Sequence, residues 1–242
     1  VLAGACVLLF GCSDSNDNNN ISDTVALCAG TQVQPVRLFL QQLTSESVIV
    51  KWRGNADGGA EATSVCFGAD MAALPASSET EAQVTATGHS EVLLSGLEPD
   101  TTYYYSVGGA GAADAEHHFR TAPAAGELPA DGNTRILILG DSGVAGKGSP
   151  DAGYVLEGVM KYVKNQGDEP VDLFLMLGDN AYNQGTDMEH QLAIFDVYPD
   201  LLSTTSLWPT IGNHEMGSFG ISTTTSPNDY AIIGDGANGG PD

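Results

Sequence analysis

The chain has 242 residues, enough for one or two domains. Its 31 acidic against 8 basic residues give a formal charge of −23 at pH 7, which argues against a duplex nucleic-acid binder, because phosphate backbones need basic partners. The charge is read most simply as a solvated surface facing salty or extracellular water. An anionic substrate would then need local positive charge, such as metal ions, to offset the field.

The first residue is Val1, not Met, and residues 1–10 are apolar but too short to span a bilayer. They read as the end of a signal-peptide core. Leu9-Phe10-Gly11-Cys12 and the polar run that follows it resemble the lipobox of bacterial lipoproteins, in which the Cys becomes the lipidated first residue. Cys6 fits that pattern less well, with Ala3 where Leu is usual. A plain secretory signal is the other reading of residues 1–12. Either way the protein is expected to be exported, to a bacterial cell envelope through a lipid on Cys12 or into the medium, and to meet a membrane only through that anchor. Residues 13–34 form a flexible tether, too hydrophilic to fold. Export permits a disulfide between Cys28 and Cys66; two unrelated thiols are the alternative.

Residues 35–122 show short strands with turn signals between them, at 36–43, 47–52, 63–68, 81–87, 90–95, 101–108 and 115–121. In the second, Val48, Val50 and Trp52 share one face at period 2. Seven strands in so short a span predict an antiparallel β-sandwich. Leu97-x-Pro99-x-Thr101-x-Tyr103 resembles the tyrosine-corner segment of fibronectin type III domains, where the Tyr hydroxyl returns to nearby backbone. His117 and His118 are adjacent and would point to opposite faces, and His89 stands alone; all three read as ordinary surface or edge histidines. The sandwich shows no chemistry of its own, which leaves spacing, a homodimer contact or binding as its roles. Residues 123–134, rich in Ala, Pro and Gly, read as an interdomain linker.

From residue 135 to 242 the rhythm changes. Residues 135–140, RILILG, form a continuous apolar run, as expected for a strand covered on both faces. Residues 154–167 read as a helix with Val155, Val159, Tyr162 and Val163 on one stripe and Gly167 as the stop. A second buried strand follows at 171–178, a second helix at 188–202 ending or kinking near Pro199, and a third strand at 207–212. This β-α-β-α-β order predicts a parallel sheet. Each strand ends in Gly and a polar residue: Gly140-Asp141-Ser142-Gly143, Gly178-Asp179-Asn180-Ala181-Tyr182 and Gly212-Asn213-His214-Glu215. Ligands bind at the carboxyl ends of strands in open α/β sheets, so the three clusters should converge on one edge.

Asp141, Asp179, Tyr182 and Asn213 all offer oxygen ligands. A carboxylate can bridge two ions roughly 3.5–4 Å apart. A phenol of pKa about 10 makes a good ligand only for a strongly Lewis-acidic ion such as Fe³⁺. His214, beside Asn213, could donate a proton or hydrogen bond at a reacting centre. Singly, each of these residues has a blander reading as a turn, cap or packed aromatic.

GDSG, GDNAY and GNHE resemble, in order, the first three of five motifs of the purple acid phosphatases, within the calcineurin-like metallophosphoesterases. NAYNQGTD and LWPTIGNHE around them fit as well, and a fibronectin-like domain ahead of the catalytic one is the arrangement of the larger members. Generic metallophosphoesterases carry Asp-x-His in the first motif; here Gly143 takes the His position and Tyr182 appears instead, which marks the Fe³⁺-tyrosinate branch. The alkaline phosphatase D family also pairs an immunoglobulin-like domain with Tyr-ligated iron, but GNHE fits it poorly. The resemblance implies that Asp141 and Tyr182 bind Fe³⁺, Asp179 bridges, Asn213 binds a divalent Fe, Zn or Mn, and His214 contacts phosphate and protonates the leaving group. It implies that Glu215 orients His214. Small-molecule phosphomonoesters are the expected substrates, hydrolysed by in-line attack of a metal-bound hydroxide.

The family's last two motifs, Val-x-x-His and Gly-His-x-His, supply three His ligands and do not occur in the sequence. The chain therefore reads as a fragment truncated at both ends, with a catalytic domain cut short, and is expected by itself to bind metal weakly and hydrolyse little. Two other readings stay open: a phosphodiesterase or nucleotidase with the same dimetal chemistry, and a non-catalytic surface-anchored binding protein whose α/β part is a relic.

Overall fold

The computed structural model describes residues 27–30, 32–54, 64–75, 80–81, 83–84, 89–109, 111–147, 149–167 and 170–215. Cys12, its lipobox and most of the tether lie outside these residues, as does everything after Glu215.

Among the described residues, eight strands build the first half: β1 Phe39–Gln41, β2 Ser47–Trp52, β3 Ser64–Gly68, β4 Thr80–Glu81, β5 Gln83–Val84, β6 Ser90–Ser95, β7 Thr102–Val107 and β8 His118–Arg120. One sheet runs β5-β6-β2-β1 and the other β4-β3-β7-β8. The strand expected over 81–87 is split, β4 joining one sheet and β5 the other. Period-2 alternation points Val48, Val50 and Trp52 inward with Val65, Leu94, Tyr105 and Phe119, all buried. Each large side chain of this set stabilises the fold by about 1.5–3 kcal/mol. The Tyr103 hydroxyl accepts the Glu98 N–H at 3.0 Å, the closure expected of a tyrosine corner. Cys28 and Cys66 are joined by a disulfide, with Cα atoms 6.1 Å apart and a sequence separation of 38. A loop of that length removes about 4 kcal/mol of unfolded-state entropy on the chain-closure account.

The second half contains β9 Ile136–Leu139, a 3-10 helix Ser142–Lys147, α1 Asp151–Asn165, β10 Leu173–Met176, α2 Asp187–His190, a π-helical turn Gln191–Phe195, α3 Pro199–Leu202 and β11 Ser206–Pro209. β9, β10 and β11 are parallel, with Leu173 opposite both Ile136 and Ser206. One face of this sheet, through Phe174, Met176 and Leu207, packs on Ile194, Tyr198 and Leu202.

The helix expected over 188–202 is thus three pieces. Pro199 opens the last of them, where its missing N–H breaks no helical bond. In α1 the core face is Ala152, Leu156 and Val163, while Val155 and Tyr162 are 48% and 66% exposed. The helix carries apolar residues on more than one stripe, so spacing alone did not choose the buried one. In β9, Leu137 and Leu139 face the core but Ile136 and Ile138 are 48% and 53% exposed, so among the described residues this strand is covered on one face only.

The sequence separates a sandwich from an α/β segment; the structure joins them in one seven-stranded sheet, β5-β6-β2-β1-β11-β10-β9. β1 runs parallel to β11 with Leu40 opposite Ser206. Phe39, from the sandwich, is fully buried in the core of the α/β segment, 5.5 Å from the Phe195 ring. The buried Tyr105 hydroxyl donates to the Ser203 carbonyl at 2.7 Å.

Candidate functional site

Parallel pairing of β9, β10 and β11 sets their carboxyl ends side by side, and the three polar turns follow there. Asp141 and Asp179 both take left-handed backbone conformations, φ 54° and 53°. Asp tolerates that region better than most residues, and such strain concentrates at functional sites. The turns are stitched together through main chain. Asp141 N–H donates to Gly178 O at 3.2 Å, Gly143 N–H to Asp179 O at 3.0 Å and Tyr182 N–H to Gly143 O at 3.2 Å. Gly143 has no alternative here: a Cβ would lie 2.6 Å from the Ala181 nitrogen and 2.8 Å from its Cα. A His at this position would collide with the loop that delivers Tyr182. Gly212 is closed in similarly, against Asp179.

The Tyr182 hydroxyl donates to Asp141 Oδ1 at 2.8 Å. The Tyr182 and His214 rings meet edge to face, centroids 4.3 Å apart. His214 N–H donates to Asp179 Oδ1 at 2.9 Å, and His214 Nδ1 lies 2.8 Å from the Asn183 carbonyl. A carbonyl only accepts, so Nδ1 carries the proton and Nε2 is the nitrogen presented to a ligand. Asn213 stands exposed on the same turn. The structure therefore brings Asp141, Asp179, Tyr182 and His214 together, with Asn213 beside them.

Glu215 lies at the centre, 1% exposed. Its Oε2 accepts from Asp179 N at 2.9 Å and Gly212 N at 2.7 Å, and its Oε1 from Asn180 N at 2.6 Å and Ala181 N at 2.9 Å. Both oxygens are engaged by main chain, so Glu215 holds the second and third turns together rather than orienting His214. A second carboxylate that the sequence did not single out does similar work: Glu189 accepts from Asn183, Gln184 and Thr186 N–H groups at 2.6, 3.1 and 2.9 Å. Its signal was available, because Thr186-x-x-Glu189 is a capping box.

The chemistry of the donors bears on a cation. Burial, the hydrogen bond to Asp141 and the charges of Asp141, Asp179 and Glu215 all push the Tyr182 phenol well above its ordinary value. Protonated, it donates to Asp141; as a phenolate it would need a multivalent cation to offset three carboxylates. The 2.8 Å between the two oxygens is close to the separation of neighbouring ligands on an octahedral ion with bonds of about 2.0–2.1 Å. That distance is also the ordinary length of the hydrogen bond itself, so it permits a shared hard cation on Asp141 and Tyr182 without requiring one. Among the described residues no group of three His, Cys, Asp or Glu side chains is placed to hold a metal, so the fit is to part of a coordination sphere.

Residues 33–121 match the family model described as purple acid phosphatase, N-terminal domain. Over these residues the chain is similar to that family. The match covers the sandwich and not the strand ends that carry the candidate site. Among solved structures, the chain is similar to that of PhoD, with 16% identity and a TM-score of 0.47 over 78% of this chain and 41% of that one. It is also similar to the fibronectin type III domain of human contactin 1, with 19% identity and a TM-score of 0.28 over 47% of this chain and 97% of that one. The chain spans about two fifths of the PhoD chain. No curated protein matches it.

Proposed function

We propose that the chain carries the first part of the active site of a metal-dependent phosphoric ester hydrolase, an acid phosphatase acting on small phosphomonoesters. The observation that supports this most is the Tyr182 hydroxyl on Asp141 at the ends of adjoining parallel strands, with the His214 ring against Tyr182. Asp141, Asp179 and Tyr182 would hold Fe³⁺, and Asp179 and Asn213 a divalent Fe, Zn or Mn. When bound, such ions polarise phosphoryl oxygens and acidify water. Without them the cluster of Asp141, Asp179 and Glu215 repels a phosphate, which makes binding conditional on the cations.

His214 has the geometry of a proton donor to the leaving oxygen. With Nδ1–H fixed by the Asn183 carbonyl, Nε2 is aimed outward; the donor form is the imidazolium, whose Nε2–H gives its proton to the leaving oxygen and leaves the Nδ1–H tautomer. Asp179 holds the His214 main chain at the same time, so one carboxylate positions both the proton donor and the cation side of the site. An exported protein, anchored through Cys12 or secreted, fits the acidic composition and the Cys28–Cys66 bridge.

The full gene product, loaded with Fe³⁺ and Zn²⁺ or Mn²⁺, is expected to hydrolyse p-nitrophenyl phosphate well and bis-p-nitrophenyl phosphate poorly. His214→Gln should lower kcat by about 10²–10⁴-fold. Preference for the diester would move the reading to a phosphodiesterase, and hydrolysis of neither, in metal-loaded protein, would leave a non-catalytic binding protein.

A further inference from the structure

The sandwich reaches the candidate site through a short chain of contacts. Antiparallel pairing of β1 with β2 puts Phe39 opposite Lys51 and so brings Arg37 and Arg53 to the same end of the hairpin. Both guanidinium groups converge on Asp187, the first residue of α2. Arg37 donates to Asp187 Oδ1 at 2.6 Å, Oδ2 at 3.0 Å and the main-chain O at 3.1 Å, and to Gln191 Oε1 at 2.5 Å. Arg53 donates to Asp187 Oδ1 at 2.5 Å. Arg37 is 7% exposed and lies over the Phe195 ring, 5.1 Å from its centroid. Such a bidentate, stacked guanidinium fixes geometry in a way a lysine could not.

α2 and the π-helical turn that continues it end at Phe195, together too short to hold their place unaided. The third residue of α2, Glu189, grips the N–H groups of Asn183, Gln184 and Thr186. Asn183 follows Tyr182 and its carbonyl receives His214 Nδ1. The line runs from Arg37 and Arg53 to Asp187, through the capping box, to the loop bearing Tyr182.

We propose that the sandwich is a positioning element of the site: Arg37 and Arg53 fix Asp187, and through it the loop that sets Tyr182 against Asp141 and His214. This rests on the reading that Tyr182 and His214 belong to a functional site.

The test is proton NMR of the metal-free full protein. The His214 ring signal is identified by its loss in His214→Gln. Its edge-to-face contact with Tyr182 displaces it by ring current. Arg37→Met should shift this signal, Asp187→Asn should shift it at least as far because it releases both guanidinium groups, and the double variant should shift it no further than Asp187→Asn. Arg53→Met, at a residue 38% exposed, should give a smaller shift and serves if Arg37→Met does not fold. Tyr103→Phe, in the sandwich's other sheet, should lower stability without moving the signal. An unmoved signal in folded Arg37→Met or Arg53→Met and Asp187→Asn, shifts that add in the double variant, or an equal shift in Tyr103→Phe would each overturn the proposal. Neither metal nor turnover enters the readout, so a failed phosphatase reading would show only in the ester assays.

Discussion

Glu215 Oε2 accepts the main-chain N–H of Asp179 at 2.9 Å, and so a residue of the third turn dictates the backbone of the second. The same oxygen takes Gly212 N–H, and the other oxygen takes Asn180 and Ala181. Four main-chain donors on one buried carboxylate bring two strand ends to a common register. The left-handed conformation of Asp179 persists because its neighbours on both sides are pinned.

Glu215→Gln should therefore be costly although it is nearly isosteric. An amide accepts at one oxygen only, so two of the four N–H groups would face an NH₂. The expected loss is about 2–4 kcal/mol, from unpaired buried donors and the loss of charge-assisted bonds. Urea unfolding of the variant measures it, and faster hydrogen exchange at Asn180 and Ala181 should accompany it.

Gly143→Ala tests the close approach of the first turn to the second. The added Cβ meets main-chain atoms at 2.6–2.8 Å, which cannot give way as a flexible side-chain tip would. A loss of roughly 1–3 kcal/mol is expected, with the Tyr182 loop pushed away from Asp141. Thermal unfolding reads the first effect. The Tyr182 ring signals read the second.

Tyr103→Phe removes the acceptor for the Glu98 N–H and leaves the ring stacked near Phe119 at 5.8 Å. About 1 kcal/mol should be lost in urea unfolding, with the sandwich otherwise unchanged.

Stability should also depend on His89. Burial first, then the charges of Arg53, Arg37 and Lys51, lower it from 6.5 to about 3. The folded state thus keeps it neutral where the unfolded chain takes up a proton. Stability from this source is full above pH 6.5 and falls as pH drops toward 3. The slope approaches about 1.4 kcal/mol per pH unit for one proton. Between pH 6.5 and 4.5, above the range of most carboxylates, the denaturation midpoint of the wild type should decline and that of His89→Leu should decline less.

His89 is also instructive about what the sequence could tell. It stands before a strand in a polar neighbourhood and reads as a surface residue, yet it is 1% exposed, with the Phe39 ring of β1 edge-on 5.8 Å away, a contact between segments that its local sequence does not show. Local pattern carried what is local: the bounds of β2 and β6, the tyrosine corner, and the three polar turns after apolar strands. The convergence of Asp141, Asp179, Tyr182 and His214 was legible because parallel strands must end at one edge. The pairing of β1 with β11 was not, since it joins residues 166 apart through one bridge and leaves no periodicity in either segment. The partners of Glu215 were hidden for a related reason. They are main-chain N–H groups, which every residue has, and only the fold selects four of them.

We propose Asp141 and Tyr182 as the start of a ferric site. The most direct measurement is a titration of the metal-free full gene product with Fe³⁺, followed by visible absorption. A phenolate bound to Fe³⁺ gives a charge-transfer band, so the wild type should develop one that saturates stoichiometrically, and Tyr182→Phe should show none. No band in the wild type, or an equal band in Tyr182→Phe, would contradict the account.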